Sequence, residues 1–121
     1  MKRTYRLETA DGAVVAEHIA LADSVLSRFM GLMFRAELPE GHGLLLRPCS
    51  SIHMFFMRFP LDVVFVDAEG TVVRVLHAIR PWRASMPVRG AKAAIELVAG
   101  SAARSGLAPG SVVRVVEPVA C

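Results

Sequence analysis

Apolar and polar positions alternate near the start of the chain, and this pattern predicts a β-hairpin. Its strands, 4–8 and 13–21, meet at Asp11-Gly12, a dipeptide typical of two-residue hairpin turns. Later segments rich in β-branched residues predict further strands at 63–66, 71–79 and 112–116. The apolar pattern of residues 91–98 is compatible with either a strand or a helix.

A change of period after the hairpin predicts a short helix. It begins after Asp23 or Ser24, both good N-cap residues, and ends at Gly31. One face of this helix is apolar and consists of Val25, Leu26, Phe29 and Met30. A single helical turn at 102–105, capped by Ser101, is predicted near the end of the chain.

Strands outnumber helices in this pattern, and the composition fits one folded unit. Of 121 residues, 54% are hydrophobic and 21% charged, which is far too apolar for a disordered chain. We therefore predict a mainly β (β-rich α+β) single domain over residues 1–121, a small barrel or rolled sheet with two short helices. Without a signal core or membrane span, the chain is expected to be soluble and cytoplasmic, unless an export signal has been removed.

Positive charge is concentrated in the middle of the chain. The net charge of +3 is small for a dedicated nucleic-acid binder. Residues 41–95, however, hold seven basic and three acidic residues, a local net charge of 7 − 3 = +4. The segment between Glu69 and Glu96 contains five basic residues and no acidic residue. That segment is either a solvated basic loop or a place to hold a carboxylate or phosphate.

Several short motifs in order resemble one family. They are Gly31-Leu32-Met33, Phe56-Met57-Arg58, the stretch from Pro60 to Asp67, the stretch from Ile95 to Gly100, and Gly106-Leu107 before Pro109-Gly110. Over about residues 22–116 the chain resembles the uncharacterised family catalogued as domain of unknown function 192. The resemblance implies a small β-rich, barrel-like domain. It supplies no established catalytic residues.

Cys49 and His53 are the first candidates for chemistry, since a thiolate beside a histidine is a nucleophile. On a helix their Cβ atoms would lie about 6 Å apart, whereas along a strand they would lie roughly 13 Å apart. Pro48 and the apolar residues 54–57 favour an extended segment, which separates the pair. The enzyme alternative uses Cys49 with His53 or His77 for acyl or thiol chemistry.

Neither a disulfide framework nor a zinc motif is present in the sequence. Cys49 and the terminal Cys121 are the two cysteines, and a bridge between them is left open. The best available metal set is Cys49, His53 and His77, but no pair has the close spacing of a zinc motif. No metal or other cofactor is expected.

Asp62 lies inside an apolar run, where an unpaired carboxylate loses several kcal/mol of hydration. Arg58, four residues earlier, is the partner the sequence offers. The two form either a structural pair or a pair in which Asp62 orients the guanidinium of Arg58 toward an anionic ligand.

Trp82, the single tryptophan, stands between Arg80 and Arg83 in a predicted loop. The indole either plugs an open barrel end or stacks on a sugar or base while the arginines hold a phosphate or carboxylate. We therefore predict non-catalytic binding of a small anionic or sugar-like ligand, or of an acidic partner segment, at Arg58, Asp62, Arg80, Trp82 and Arg83. The alternatives are the Cys/His enzyme and weak nucleic-acid binding; oligomeric state is left open.

Overall fold

Seven strands form one mixed sheet, accompanied by two short helices. The computed structural model describes residues 4–117, so that Cys121 and its suggested bridge lie outside the described part. The elements are β1 (Thr4–Thr9), β2 (Val14–Ala22), α1 (Val25–Met30), β3 (His42–Leu46), β4 (Leu61–Val66), β5 (Val72–Ile79), β6 (Ala93–Val98), α2 (Ser101–Arg104) and β7 (Val113–Val116). The predicted mainly β class is confirmed.

At the start of the chain the structure contains the elements that the local sequence signals predict. β1 and β2 pair antiparallel across the turn at Asp11-Gly12. Ser24 caps α1 with its hydroxyl, which accepts the backbone N–H of Ser27, and Gly31 ends the helix with φ 48°. The ambiguous segment 91–98 contains a strand, because β6 pairs antiparallel with both β3 and β4.

The sheet is rolled but does not close. The strand order is β5-β4-β6-β3-β2-β1-β7, with β2 and β3 parallel and the other neighbours antiparallel. The two edge strands approach near their starts, where Thr71 and Val112 form an isolated bridge and Val72 donates its N–H to the Ser111 carbonyl. Within residues 4–117 no ladder joins these edges. Of the two predicted arrangements, the rolled sheet is therefore the one found.

Apolar side chains cover both faces of the central strands. All six residues of β4 are buried, as expected for a strand without a solvent face. One core cluster includes Leu7, Ile19, Val64, Ile95 and Leu97. The other cluster, on the opposite face, includes Leu32, Leu44, Met54, Met57, Val63 and Phe65. This second cluster lies beneath the irregular segments that carry the predicted site.

Two irregular segments, 50–54 and 82–88, run side by side in opposite directions. The N–H of Ser85 donates to the Ile52 carbonyl over 2.9 Å, and His53 forms an isolated bridge with Ala84. Residues 49–57 are not helical, which agrees with the expectation of an extended segment up to the turn at 55–56. The pairing fixes the loop that carries Trp82 against the end of the 50–54 segment.

Candidate functional site

Six aromatic rings form a continuous row on the surface, which we call the aromatic belt. Centroids of successive rings lie 4.8 to 6.2 Å apart. In order along the row the rings belong to Phe29, His53, Phe55, Trp82, Phe56 and Phe34. His53 is partly buried, and the other five side chains are exposed. Contiguous exposed apolar surface of this kind is typical of interaction sites.

Backbone hydrogen bonds hold the three segments of the belt together. The N–H of Met54 donates to the carbonyl of Arg83, and the N–H of Trp82 donates back to the carbonyl of Met54 over 2.7 Å. The N–H of Phe34 donates to the carbonyl of Phe56 over 3.1 Å. The positions of the rings are therefore fixed by hydrogen bonds between the segments that carry them.

Three belt residues occupy a backbone region that bulky side chains rarely adopt. The φ angles of Phe34, Phe56 and Trp82 are 67°, 61° and 68°. Only Ala78 among the other non-glycine residues of 4–117 has a positive φ. Such a conformation costs an aromatic residue about 1–3 kcal/mol. Strain at exposed positions does not stabilise the core, so a reason other than packing is needed for these rings.

The segments that carry the belt contain arginine and no acid. These segments are 28–35, 53–58 and 80–83, and their arginines are Arg28, Arg35, Arg58, Arg80 and Arg83. In the described part of the chain none of the five forms an ion pair with a carboxylate. Arg28 donates to the backbone carbonyl of Asp23 instead. The belt is thus flanked by cations that remain available to an anionic partner.

Trp82 does not plug the end of the sheet. Its side chain is 59% exposed, and its ring contacts are with Phe55 and Phe56 of the belt. The interpretation of Trp82 as a buried plug is therefore wrong. Arg80 and Arg83, its neighbours in the sequence, are also exposed.

Asp62 has a structural role that the sequence did not reveal. Its carboxylate is 1% exposed and accepts three backbone N–H groups, from Ala78 (2.8 Å), Gly100 (3.0 Å) and Ala102 (2.9 Å). Arg58 is exposed and makes no ion pair with it. The expected pair is wrong, because the end of β5 and the start of α2 supply the hydrogen bonds that a buried carboxylate requires.

Cys49 and His53 do not hydrogen-bond to each other; each bonds to backbone groups instead. Nε2 of His53 lies 2.8 Å from the carbonyl oxygen of Phe29, which can only accept, and Nδ1 accepts the N–H of Phe55. The Cys49 thiol donates to the carbonyl of Ser51. Burial raises the pKa of this thiol above its ordinary value, which disfavours the thiolate. The geometry lacks the thiol–imidazole hydrogen bond of a nucleophilic dyad.

His77 lies at an exposed position of β5. Among residues 4–117 no group of three His, Cys, Asp or Glu side chains is arranged to hold a metal ion. The suggested set of Cys49, His53 and His77 is therefore not assembled in the described part of the chain.

Glu96 is the functional candidate that sequence reasoning missed. It occupies the middle of β6, where its cross-strand neighbours are Leu44 on β3 and Val63 on β4. The side chain is 4% exposed, and its Oε1 atom is buried without a hydrogen-bond partner. Burial raises the pKa of this carboxyl to about 8, so the group is mostly protonated at neutral pH.

A pocket of about 310 Å³ opens between α1 and the segment 48–53, and Glu96 contributes to its wall. The rest of the wall is mostly apolar, with Phe29, Met30, Leu32, Met33, Ile52 and Met57, and its polar side chains are Arg28, Ser50, Ser51 and His53. Gly31 leaves the space over Oε1 of Glu96 open: a Cβ atom at Gly31 would lie 3.7 Å from that oxygen. We call this the Glu96 pocket.

Comparisons with known proteins give a family and a fold. A family model described as "Uncharacterized ACR, COG1430" matches residues 6–115. A UPF0127 protein from Thermococcus sibiricus is 39% identical over 93 residues, which are 74% of this chain and 60% of that protein. A UPF0127 protein from Pyrococcus abyssi is 39% identical over 84 residues, 64% of this chain and 68% of that protein.

A crystal structure of a protein of unknown function from Novosphingobium aromaticivorans has the same fold. It superposes with a TM-score of 0.78 at 28% identity and covers 92% of this chain and 83% of its own. The chain spans less than two thirds of the Thermococcus sibiricus protein, so the similarity covers only part of that relative. Neither helix within residues 4–117 is long and apolar enough to cross a membrane.

Proposed function

Because the chain belongs to the family described as "Uncharacterized ACR, COG1430", a description that names no activity, we propose a function from its surface. The chain is a non-catalytic binding domain that holds an acidic segment of a partner protein on the aromatic belt. The observation that carries this proposal is the strained, exposed backbone of Phe34, Phe56 and Trp82. Strain kept at an exposed surface is typical of functional sites.

The shape of the belt favours a polypeptide segment over a small anion or a sugar. The rings form an extended row, whereas a site for a small molecule encloses most of its ligand. Leu26 on α1 and Met86 in the 82–88 segment, 70% and 80% exposed, stand on the same segments as Phe29 and Trp82, and neither a sugar nor a nucleobase needs such aliphatic side chains. Surface rich in aromatic residues, Met and Arg and poor in acids and Lys is the composition of protein-binding patches.

The charge around the belt favours an acidic partner. Arg58, Arg80 and Arg83 are exposed, and no acid occurs in the belt segments to neutralise them. Guanidinium groups bind carboxylates through paired hydrogen bonds, and a positive patch also increases the rate of encounter with an acidic chain. We therefore assign Arg58, Arg80, Trp82 and Arg83 to binding in this proposal, and Asp62 to support of the fold.

The test is selection from a display library of random peptides of about 15 residues, long enough to cross a standard-sized binding patch. We expect enriched peptides to combine Asp or Glu with Leu, Phe or Trp. Their affinity should fall about tenfold or more in Trp82→Ala, because interface anchors of this type contribute about 2 kcal/mol or more. The affinity of wild type for these peptides should also fall as salt is added.

Two matched variants lie outside the belt. Arg114→Ala removes an exposed arginine of β7, and Val14→Ala removes an exposed apolar side chain of β2. Both should keep full affinity for the selected peptides. The proposal is refuted if no peptide separates wild type from Trp82→Ala, or if enriched peptides lack acids. Tighter binding of single-stranded oligothymidine than of any peptide would assign the belt to nucleic acid instead.

A further inference from the structure

The Glu96 pocket is a second site beside the Phe29–His53 end of the belt. These two rings also line the pocket, but the ligand inferred for it does not depend on the proposed docking of a partner. We infer that it binds a compact, mainly apolar molecule whose single polar end is an uncharged carbonyl oxygen, hydrogen-bonded to the carboxyl of Glu96. Three observations carry this inference: a buried oxygen without a partner, open space beside it, and a mostly apolar wall.

The unpartnered oxygen is the first observation. Buried polar side-chain atoms nearly always have a hydrogen-bond partner, and an exception requires an explanation. Within residues 4–117, Oε1 of Glu96 is the only buried side-chain nitrogen or oxygen atom without one. The cross-strand neighbours of Glu96, Leu44 and Val63, offer it only apolar side chains. A ligand that enters the pocket would supply the missing partner.

The protonation state of Glu96 determines which ligand group can hydrogen-bond to it. No cation pairs with Glu96 in the described residues, and burial alone raises its pKa to about 8. At neutral pH the carboxyl therefore carries a proton that it can donate. A carbonyl oxygen accepts that proton's hydrogen bond without bringing a charge into an apolar wall.

The other titratable groups of the pocket argue against a charged ligand. Arg28 reaches it from α1, and Cys49 and His53 reach it from the segment 48–53. Arg28 gives the pocket a positive charge, which repels an amine. A carboxylate would lose several kcal/mol of hydration on entering and would face a second carboxyl group.

The size and wall of the pocket set the body of the ligand. A volume of about 310 Å³ is at the small end of ligand sites, which run from about 300 to 1,000 Å³. Met30, Met33 and Met57 line it, and methionine adapts readily to irregular apolar shapes. Gly31 keeps the approach to Oε1 of Glu96 open. A single ring or short branched chain with one carbonyl group is the matching class.

The test compares three small probes of similar size by chemical-shift titration: benzamide, toluene and benzylamine. We expect benzamide to bind at roughly millimolar concentration, as fragments do, with shifts at Gly31, Cys49 and Ile52. Toluene lacks the acceptor and benzylamine carries a positive charge, so both should bind about tenfold more weakly or worse. Equal binding of toluene, or preferred binding of benzylamine, overturns the inference, and so does absence of benzamide binding.

Two variants of Glu96 isolate the carboxyl group. Glu96→Gln keeps a neutral hydrogen-bond donor of the same size and should keep benzamide affinity. Glu96→Met keeps the volume without the donor and should lose about tenfold. Unchanged affinity in Glu96→Met refutes the inference.

A pH series adds an independent readout. Wild-type affinity for benzamide should fall about tenfold between about pH 6 and about pH 10, as the proton of Glu96 is lost. In Glu96→Gln the affinity should stay constant, which excludes titration of Cys49 or His53 as the cause. An equal fall in Glu96→Gln overturns the assigned role of the Glu96 proton. Because Trp82 does not line this pocket, a failed peptide selection and a failed benzamide titration are separate results.

Discussion

Replacement of Asp62 by alanine should cost the fold a large part of its stability. The carboxylate of Asp62 accepts N–H groups from three residues that lie 16, 38 and 40 positions away in the chain. It thereby joins β4 to the end of β5 and to the start of α2. The Ser101–Arg104 helix has no side-chain cap of its own, so Asp62 provides the acceptor that a local N-cap residue would otherwise supply.

The size of this loss in stability depends on whether each N–H donor can hydrogen-bond to water once the carboxylate is removed. Ala102 is fully buried, and an N–H left unpaired there costs about 2–3 kcal/mol. Gly100 is partly exposed and Ala78 is exposed, so their N–H groups can rehydrate and lose about 1 kcal/mol each. Asp62→Ala should therefore lower the free energy of unfolding by about 4–5 kcal/mol, out of a typical total of about 5–15 kcal/mol.

Urea unfolding followed by far-ultraviolet circular dichroism measures this loss. Arg58→Ala is the control, since the sequence suggests a pair that the structure lacks. It should cost at most about 0.5 kcal/mol, and the double mutant should show a coupling energy between the two sites of no more than about 0.5 kcal/mol. A loss below about 1 kcal/mol for Asp62→Ala, or a coupling energy above about 1 kcal/mol, would refute this assignment of hydrogen bonds.

Three further changes test other parts of the fold. In Gly43→Ala the new Cβ would lie 2.6 Å from the backbone oxygen of Glu96. We expect thermal unfolding to show a loss of about 3 kcal/mol in the free energy of unfolding. The control Gly106→Ala has open space around the new Cβ and only a positive φ, so it should lose about 1 kcal/mol. Folding raises the pKa of Glu96 from 4.5 to about 8, so the native chain binds more protons between these values and its unfolding free energy should fall as pH rises through them. Glu96→Gln should flatten that slope, and an unchanged slope would mean that Glu96 is not its cause. Phe34→Asn, at φ 67°, should leave stability unchanged or raise it by up to about 1 kcal/mol, because asparagine tolerates this backbone; a clear loss would mean that Phe34 supports the fold.

Local signals explain what the sequence predicted correctly. The Asp11-Gly12 turn, the Ser24 cap and the end of α1 at Gly31 all depend on residues within a few positions of one another. Such short-range preferences act in any fold, so they can be read without knowing the topology.

Long-range topology explains what the sequence could not predict. The sequence left residues 91–98 open between strand and helix, and in either element the one charged position usually points to solvent. Only the insertion of β6 between β3 and β4 buries Glu96, and that strand order is not sequential. The partners of Asp62 are likewise distant in the chain, whereas the sequence offered only the nearby Arg58. Hydrophobic spacing marked one face of α1, but could not show that this face stays uncovered, with Val25 77% exposed.

The position of Trp82 also determines how the protein can be observed. The single indole of the chain is already largely in water in the native state, so its fluorescence emission should change little when the chain unfolds. An experimenter who followed denaturation by tryptophan emission alone would see a nearly flat curve and could mistake a cooperative fold for an unstructured one. The same indole would respond to anything that covers it, which makes it a natural optical sensor for occupancy of this surface.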